Sequence, residues 1–158
     1  MAGLIHFSEA VNLGLHALLL LAATPAAARD NRRLASDLGV SANHLSKVLQ
    51  RLQRAGLVTS TRGPAGGFRL ARAPQDVSLL TIYEALDGPL ARKTCLLSRP
   101  HCPAGACVFG SLLADTTRAF EQHLRRTTLA TVTPDKPSSR KKPLKAAKLL
   151  PRSKKGAI

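Results

Sequence analysis

The sequence predicts a mainly α-helical chain carrying one small β-hairpin, and three observations lead there. Apolar residues recur at helical spacing in several separate stretches. Aromatic residues make up 3% of the chain and Trp is absent. The core must therefore come from Leu, Val and Ala, which suit packed helices better than a β-sandwich. One Gly-rich stretch, set between two short extended runs, interrupts the helical pattern. At 158 residues and 44% hydrophobic content, the chain has material for one compact domain plus extensions.

The elements follow in order. Ser8 suits the N-cap of a helix bearing Val11, Leu15, Leu18 and Ala22, with Leu19 and Leu20 beside them. Pro25 and its small neighbours end that helix. Asp30 caps a short second helix with Leu34, Ala35 and Leu38, and Gly39 follows where the helix must end and turn. Ser41 opens a third helix to about Arg54, in which Leu45, Val48, Leu49 and Leu52 form one buried stripe. Asn43, Lys47, Gln50 and Arg54 fall on the opposite face, and Gly56 stops the helix.

Two extended runs, 57–61 and 68–70, flank Arg62-Gly63-Pro64-Ala65-Gly66-Gly67, which reads as a hairpin with a long tip. Ser78 caps a helix with Leu79, Ile82, Tyr83 and Leu86, broken by Gly88 and Pro89. Residues 88–106 read as a loop, with Pro100, Pro103 and Gly105 opposing regular structure. A final helix is expected over about 106–128, with an apolar stripe of Phe109, Leu112, Leu113, Thr116, Phe120 and Leu124. From Thr133 onward, Lys, Pro, Ser and Ala without periodicity read as a tail.

The formal net charge is +15, which favours a polyanionic partner. Residues 131–158 hold nine Lys or Arg against one Asp, and residues 1–130 hold fifteen against eight acids. The body is thus basic without its tail. The apolar run Leu13 to Ala23 is too short to span a bilayer and follows no basic residue, so neither a membrane partner nor a signal peptide is expected. The expected compartment is the cytoplasm. His101 adjoins Cys102, but His6, His16, His44 and His123 are scattered, and no phosphate-binding loop or dinucleotide fingerprint is present. The chain is not expected to be an enzyme.

A short helix, a Gly turn and a second helix with one apolar face make a bihelical unit whose second helix can lie in the major groove of double-stranded DNA. That helix exposes Asn43, Lys47, Gln50 and Arg54, with Ser41, His44, Ser46 and Arg51 nearby. Asn and Gln suit adenine edges, whereas Lys and Arg suit guanine edges or phosphates. The hairpin tip sets Arg62, Gly63 and Arg69 at a bend whose glycines let a wing approach a minor groove or the backbone. A polar helix face alone is commonplace; its combination with a basic wing is what points to DNA. The competing reading is a non-specific architectural DNA binder acting through Lys136 to Lys155.

Arg62-Gly63-Pro64-Ala65-Gly66-Gly67-Phe68-Arg69-Leu70-Ala71 resembles the wing signature of the Rrf-two family of winged helix-turn-helix transcriptional regulators. Leu34-Ala35, Val40-Ser41, Leu45, Val48-Leu49, Leu52 and Ala55-Gly56-Leu57-Val58 fit that family, as does Gly14-Leu15-His16-Ala17-Leu18. The resemblance covers about residues 5–128. It implies a DNA-binding domain over 1–87, a cysteine-containing cluster loop over 88–106 and a dimerisation helix over 107–130; residues 131–158, outside the resemblance, are expected from composition to be a basic disordered tail. It further implies a homodimer joined through Phe109, Leu112, Leu113, Thr116, Phe120 and Leu124, reading a palindromic operator. Arg62 would be the wing arginine, and Ser41, Asn43, Ser46 and Lys47 would hold base-reading positions.

Cys95, Cys102 and Cys107 are spaced Cys-x6-Cys-x4-Cys. Three thiolates so close in sequence can converge on one soft metal centre. By resemblance this centre is an iron–sulfur cluster, 2Fe-2S or 4Fe-4S, reporting iron–sulfur, redox or nitric-oxide status. The middle cysteine is displaced by one position from the family's more usual spacing. Some cluster-bearing members carry a His where this chain has Gly110, and others an Asp where it has Asn12. Glu9, Asn12, His101 or an external small ligand are the candidates for a fourth ligand. A thiol or zinc site, and a regulator without cofactor, are the alternatives.

Overall fold

A computed structural model describes residues 7–25, 27–63, 66–90, 109 and 111–133. Among them the order is α1 (Glu9–Ala22), α2 (Asn31–Leu38), α3 (Ala42–Arg54), β1 (Val58–Thr61), β2 (Gly67–Leu70), a 3-10 turn (Pro74–Asp76), α4 (Leu79–Asp87), α5 (Leu112–Arg126) and α6 (Leu129–Val132). The expected mainly α fold with a β-hairpin wing is the fold observed. Among the described residues, no helix is long and apolar enough to cross a membrane.

The starts of α1 to α4 lie where short polar side chains take up orphan amides. Ser8 Oγ accepts from the Val11 amide at 3.2 Å, and Ser78 Oγ from the Thr81 amide at 3.1 Å. Asp30 accepts from the Arg32 and Arg33 amides, and Ser41 from that of His44. Gly39 ends α2 with a φ of 67°, a left-handed conformation that costs glycine little, and so turns the chain into α3.

The core is a layer of helices around α1. Val11, Ala17, Leu18 and Leu21 of α1 are buried with Leu34 of α2, Leu45, Leu49 and Leu52 of α3, and Ile82 and Leu86 of α4. Gly14 lies in the middle of α1, and a Cβ there would fall on Leu86 Cδ1, with Val48 Cγ1 at 3.5 Å and Leu52 Cδ1 at 3.7 Å. The three helices therefore meet where α1 has no side chain. At the edge of this layer Phe7 packs edge-on against Tyr83 and Phe120, with ring centroids 5.9 and 5.6 Å apart. Burial raises the pKa of the Tyr83 phenol, and the Asp87 carboxylate raises it further.

The C-terminal part differs from the sequence expectation. The described helix α5 spans Leu112–Arg126, and Phe109 lies in a turn whose carbonyl accepts from the Leu112 amide at 3.0 Å; residues 106–108 of the expected helix lie outside the described residues. Thr117, outside the expected stripe, is buried, and its hydroxyl is satisfied there by donating to the Leu113 carbonyl at 2.8 Å. After α5 the chain crosses back to the start of α4. The Leu79 amide donates to the Thr127 carbonyl and the Leu129 amide to the Val77 carbonyl, each at 2.9 Å. Leu129 is fully buried, and α6 continues through Val132, two residues into the stretch read as tail. A single turn held by a long-range backbone bridge leaves no periodic signal.

Gly14→Ala is expected to destabilise the fold by about 1–3 kcal/mol through overpacking against Leu86, despite a helix-propensity gain of about 1 kcal/mol. Chemical denaturation checks the sign; a more stable variant would contradict the packing assignment.

Candidate nucleic-acid interface

The face of α3 that carries the expected DNA residues lies directly opposite its buried stripe. Leu45, Val48, Leu49 and Leu52 are buried, whereas Asn43, Lys47, Gln50 and Arg54 are exposed. The helix contains Lys47, Arg51 and Arg54 and no acidic residue. Its exposed face therefore offers donors and positive charge to a polyanion.

The remaining expected residues divide by their surroundings. Ser41 is exposed but its hydroxyl caps α3, and Ser46 is half-buried on one flank. His44 and Arg51, seven residues apart, share the other flank. His44 Nδ1 lies 3.6 Å from Glu9 Oε1 at the start of α1. Arg51 Nη2 donates to the Leu86 carbonyl at the end of α4. Gln53, which the one-face count passes over, lines a shallow hollow of about 370 Å3 with Gln50 and Arg54. Its position beside Arg54 was the available signal.

The wing is an antiparallel pair in the register Val58–Leu70, Thr59–Arg69, Ser60–Phe68 and Thr61–Gly67. Arg62, Gly63 and Arg69 are exposed, and Arg69 Nε donates to Thr59 Oγ1 at 3.3 Å across the strands. The Gly66 amide donates to the Gly63 carbonyl at 2.9 Å, closing the tip. The base of the wing is tied to the body by Arg29. Its amide and carbonyl exchange two hydrogen bonds with Phe68, both 2.9 Å. Its guanidinium reaches Asp37 of α2 at 2.6 Å. Gly67, with a φ of 150°, has its Cα so close to this strand that a Cβ would meet the Arg29 carbonyl and lie 2.9 Å from the Asp30 amide nitrogen. Arg29 was not singled out from the sequence, since a bridge across about forty residues has no local signature.

Two further sets of residues were expected to be functional. Phe109 and Leu112 are 45% and 57% exposed, whereas Leu113 and Leu124 are 4% exposed and packed within the chain. Thr116 and Phe120 are half-buried. The apolar stripe is thus shared between the chain's own interior and its surface. Cys95, Cys102 and Cys107, with His101 and Gly110, lie outside the described residues. Among the described residues, no three His, Cys, Asp or Glu side chains are grouped to hold a metal ion. Glu9 and Asn12 line an open hollow of about 440 Å3 with Phe7, Ser8 and Leu15.

The Rrf2 family model, described as an iron-dependent transcriptional regulator, matches residues 7–135. The HTH-type transcriptional regulator BadM of Rhodopseudomonas palustris is 48% identical over 74 residues, 47% of each chain. The HTH-type transcriptional regulator IscR of Vibrio atlanticus is 32% identical over 98 residues, 61% of this chain and 56% of that one. The match spans about half the length of these curated relatives. Among solved structures, CymR, the global cysteine regulator of B. subtilis, superposes with a TM-score of 0.71 at 25% identity, covering 82% of this chain and 96% of CymR.

Gly67→Ala is expected to unseat the wing from Arg29 while leaving the helical layer folded. In hydrogen exchange, the Phe68 and Arg29 amides should lose protection and those of α1 should keep it. Unchanged protection at Phe68 would show that the close approach at Gly67 does not hold the wing.

Proposed function

Because the chain belongs to the Rrf2 family of transcriptional regulators, we propose that it works as a homodimer on a palindromic double-stranded operator in the cytoplasm. In this reading α3 enters the major groove and the wing approaches the minor groove or backbone. The observation that carries it is the acid-free exposed face of Asn43, Lys47, Gln50 and Arg54 beside a wing bearing Arg62 and Arg69. Asn43 and Gln50 read base edges, Lys47 reads a base or a phosphate, and Arg54, Arg62 and Arg69 neutralise phosphates. Ser41 and Ser46 sit at the groove edge. Residues 1–87 form the DNA-binding part.

The exposed Phe109 and Leu112 support a dimer contact at the start of α5, with Thr116 and Phe120 at its margin. Leu113 and Leu124 contribute from beneath, by holding α5 on the body. Two-fold pairing through residues 107–130 would place the two α3 helices about one DNA turn, roughly 34–36 Å, apart. The basic residues beyond 135 add phosphate contacts without reading sequence.

Cys95, Cys102 and Cys107, in the loop 88–106 and at its border, are proposed to hold an iron–sulfur cluster, since three thiolates are a donor set that suits iron. Bound there, the cluster supplies a centre sensitive to redox state and nitric oxide. Glu9 and Asn12, at the hollow beside the start of α1, and His101 are the chain's own candidates for a fourth ligand. Loss of ligation would free the chain between α4 and α5 and so change the spacing of the reading helices.

Selection of duplexes from a random pool by the full chain should return a two-fold symmetric site. Asn43→Ala should cost about 1–3 kcal/mol on that site and relax preference at one symmetric pair of positions. Recovery of no preferred sequence would favour the architectural reading. Removing residues 136–158 should keep the preference and weaken mainly the salt-sensitive part of binding. Protein purified without oxygen should absorb visible light and contain iron and acid-labile sulfide, and Cys102→Ala should lose both. A colourless, iron-free chain that resists reconstitution would move the sensor to thiol chemistry, zinc or no cofactor.

A further inference from the structure

The flank of α3 beside its exposed face carries Arg51, which is exposed, as Lys47 and Arg54 are, and in addition donates a hydrogen bond to another helix. Lys47 and Arg54 lie on the exposed face opposite the buried stripe. Arg51 is turned to α4, where its Nη2 donates to the Leu86 carbonyl. The last carbonyls of a helix lack intrahelical donors. At this end the Gly88 amide already serves the Glu84 carbonyl, so Leu86 needs an outside donor. A guanidinium there makes a charge-assisted bond at the negative end of the helix dipole.

The same two residues of α4 hold the other helices. The Leu86 side chain fills the space beside Gly14, next to Val48 and Leu52 of α3. The Asp87 carboxylate accepts from the Ser8 amide at 3.2 Å and from the Ser8 hydroxyl at 2.5 Å. Ser8 in turn caps α1, and the next residue, Glu9, is the one 3.6 Å from His44. The flank of α3 is thus bonded to the body at Arg51, and His44, about 10 Å away along the helix axis, lies near Glu9 without a hydrogen bond to it. Burial of Leu45, Val48, Leu49 and Leu52 selects which face of α3 meets the core, but the attraction itself is non-directional and leaves the fine orientation of the helix to polar contacts. A hydrogen bond to a carbonyl is directional, and base readout requires the helix in one orientation.

We propose that Arg51 is a positioning residue for DNA recognition, not a DNA contact: by capping the end of α4 it sets the orientation in which α3 presents Asn43, Lys47 and Gln50. This rests on the reading of α3 as the recognition helix. A consequence separates the two roles. A phosphate contact contributes about 0.9 to the slope of log affinity against log salt, roughly twice that for a symmetric dimer. A positioning residue contributes affinity for the correct sequence and nothing to that slope.

The test uses the full chain, the duplex it selects from a random pool, and a scrambled duplex of the same composition, titrated across salt concentrations. Arg51→Ala is expected to lower affinity for the selected duplex about tenfold, the size of one charge-assisted hydrogen bond. Affinity for the scrambled duplex should stay unchanged, and so should the salt slope. Arg54→Ala, run in parallel, should weaken both duplexes and flatten the slope. If Arg51→Ala does not fold by circular dichroism, Arg51→Met keeps the packed stem without donors and is read instead. A slope flattened as in Arg54→Ala would assign Arg51 to a phosphate and overturn the proposal. Equal loss on both duplexes, or no loss on either, would also overturn it. Failure of the wild-type chain to select any duplex would instead bring down the recognition-helix reading and the proposal with it.

Discussion

Gly14 is buried at the point where α1, α3 and α4 meet, and any side chain there would take the space that Leu86 fills. Most of the architecture follows from that close approach. With Leu86 seated against α1, the carbonyl of the same residue comes within reach of Arg51, and the next carboxylate, Asp87, comes within reach of Ser8. The helix α3 is thereby held by a directional bond from Arg51 as well as by apolar burial. A glycine that lowers helix propensity is tolerated because the gain in packing is larger.

The wing depends on a similar close contact at a different place. Arg29 pairs its backbone with Phe68 in a single antiparallel bridge and sends its guanidinium to Asp37, so the segment before α2 is tied to the edge of the hairpin. Gly67 makes this possible, because its lack of a Cβ leaves room for the Arg29 carbonyl. A two-stranded hairpin is marginal by itself in water. Here its base is joined to the same helices that position α3.

The helix α5 divides its apolar residues between two tasks. Leu124 joins it to the core and Leu113 is buried, while Leu112 at its start and Phe109 in the turn before it remain on the surface. The bridge from Thr127 and Leu129 to Leu79 and Val77 then locks its C-terminal end to the start of α4. A surface apolar pair at one end of a firmly anchored helix suits a partner contact better than a free helix would, because less motion is lost when it docks.

The sequence by itself determined α1 to α4 and the hairpin, since each is encoded within a few residues, but not α6, which is held by a long-range bridge. Ser8, Asp30, Ser41 and Ser78 mark helix starts through their own hydroxyl or carboxylate, Gly39 marks a turn through its φ, and Leu45, Val48, Leu49 and Leu52 mark a buried face through spacing alone. The opposite face with Asn43, Lys47, Gln50 and Arg54 follows from the same geometry. The tertiary structure decided what those elements do to one another. That Arg51 reaches Leu86, that Arg29 anchors Phe68, and that Leu113 and Leu124 are interior while Phe109 and Leu112 are not depends on residues distant in the chain. Spacing places a side chain on a face, but it does not say which other element that face will meet.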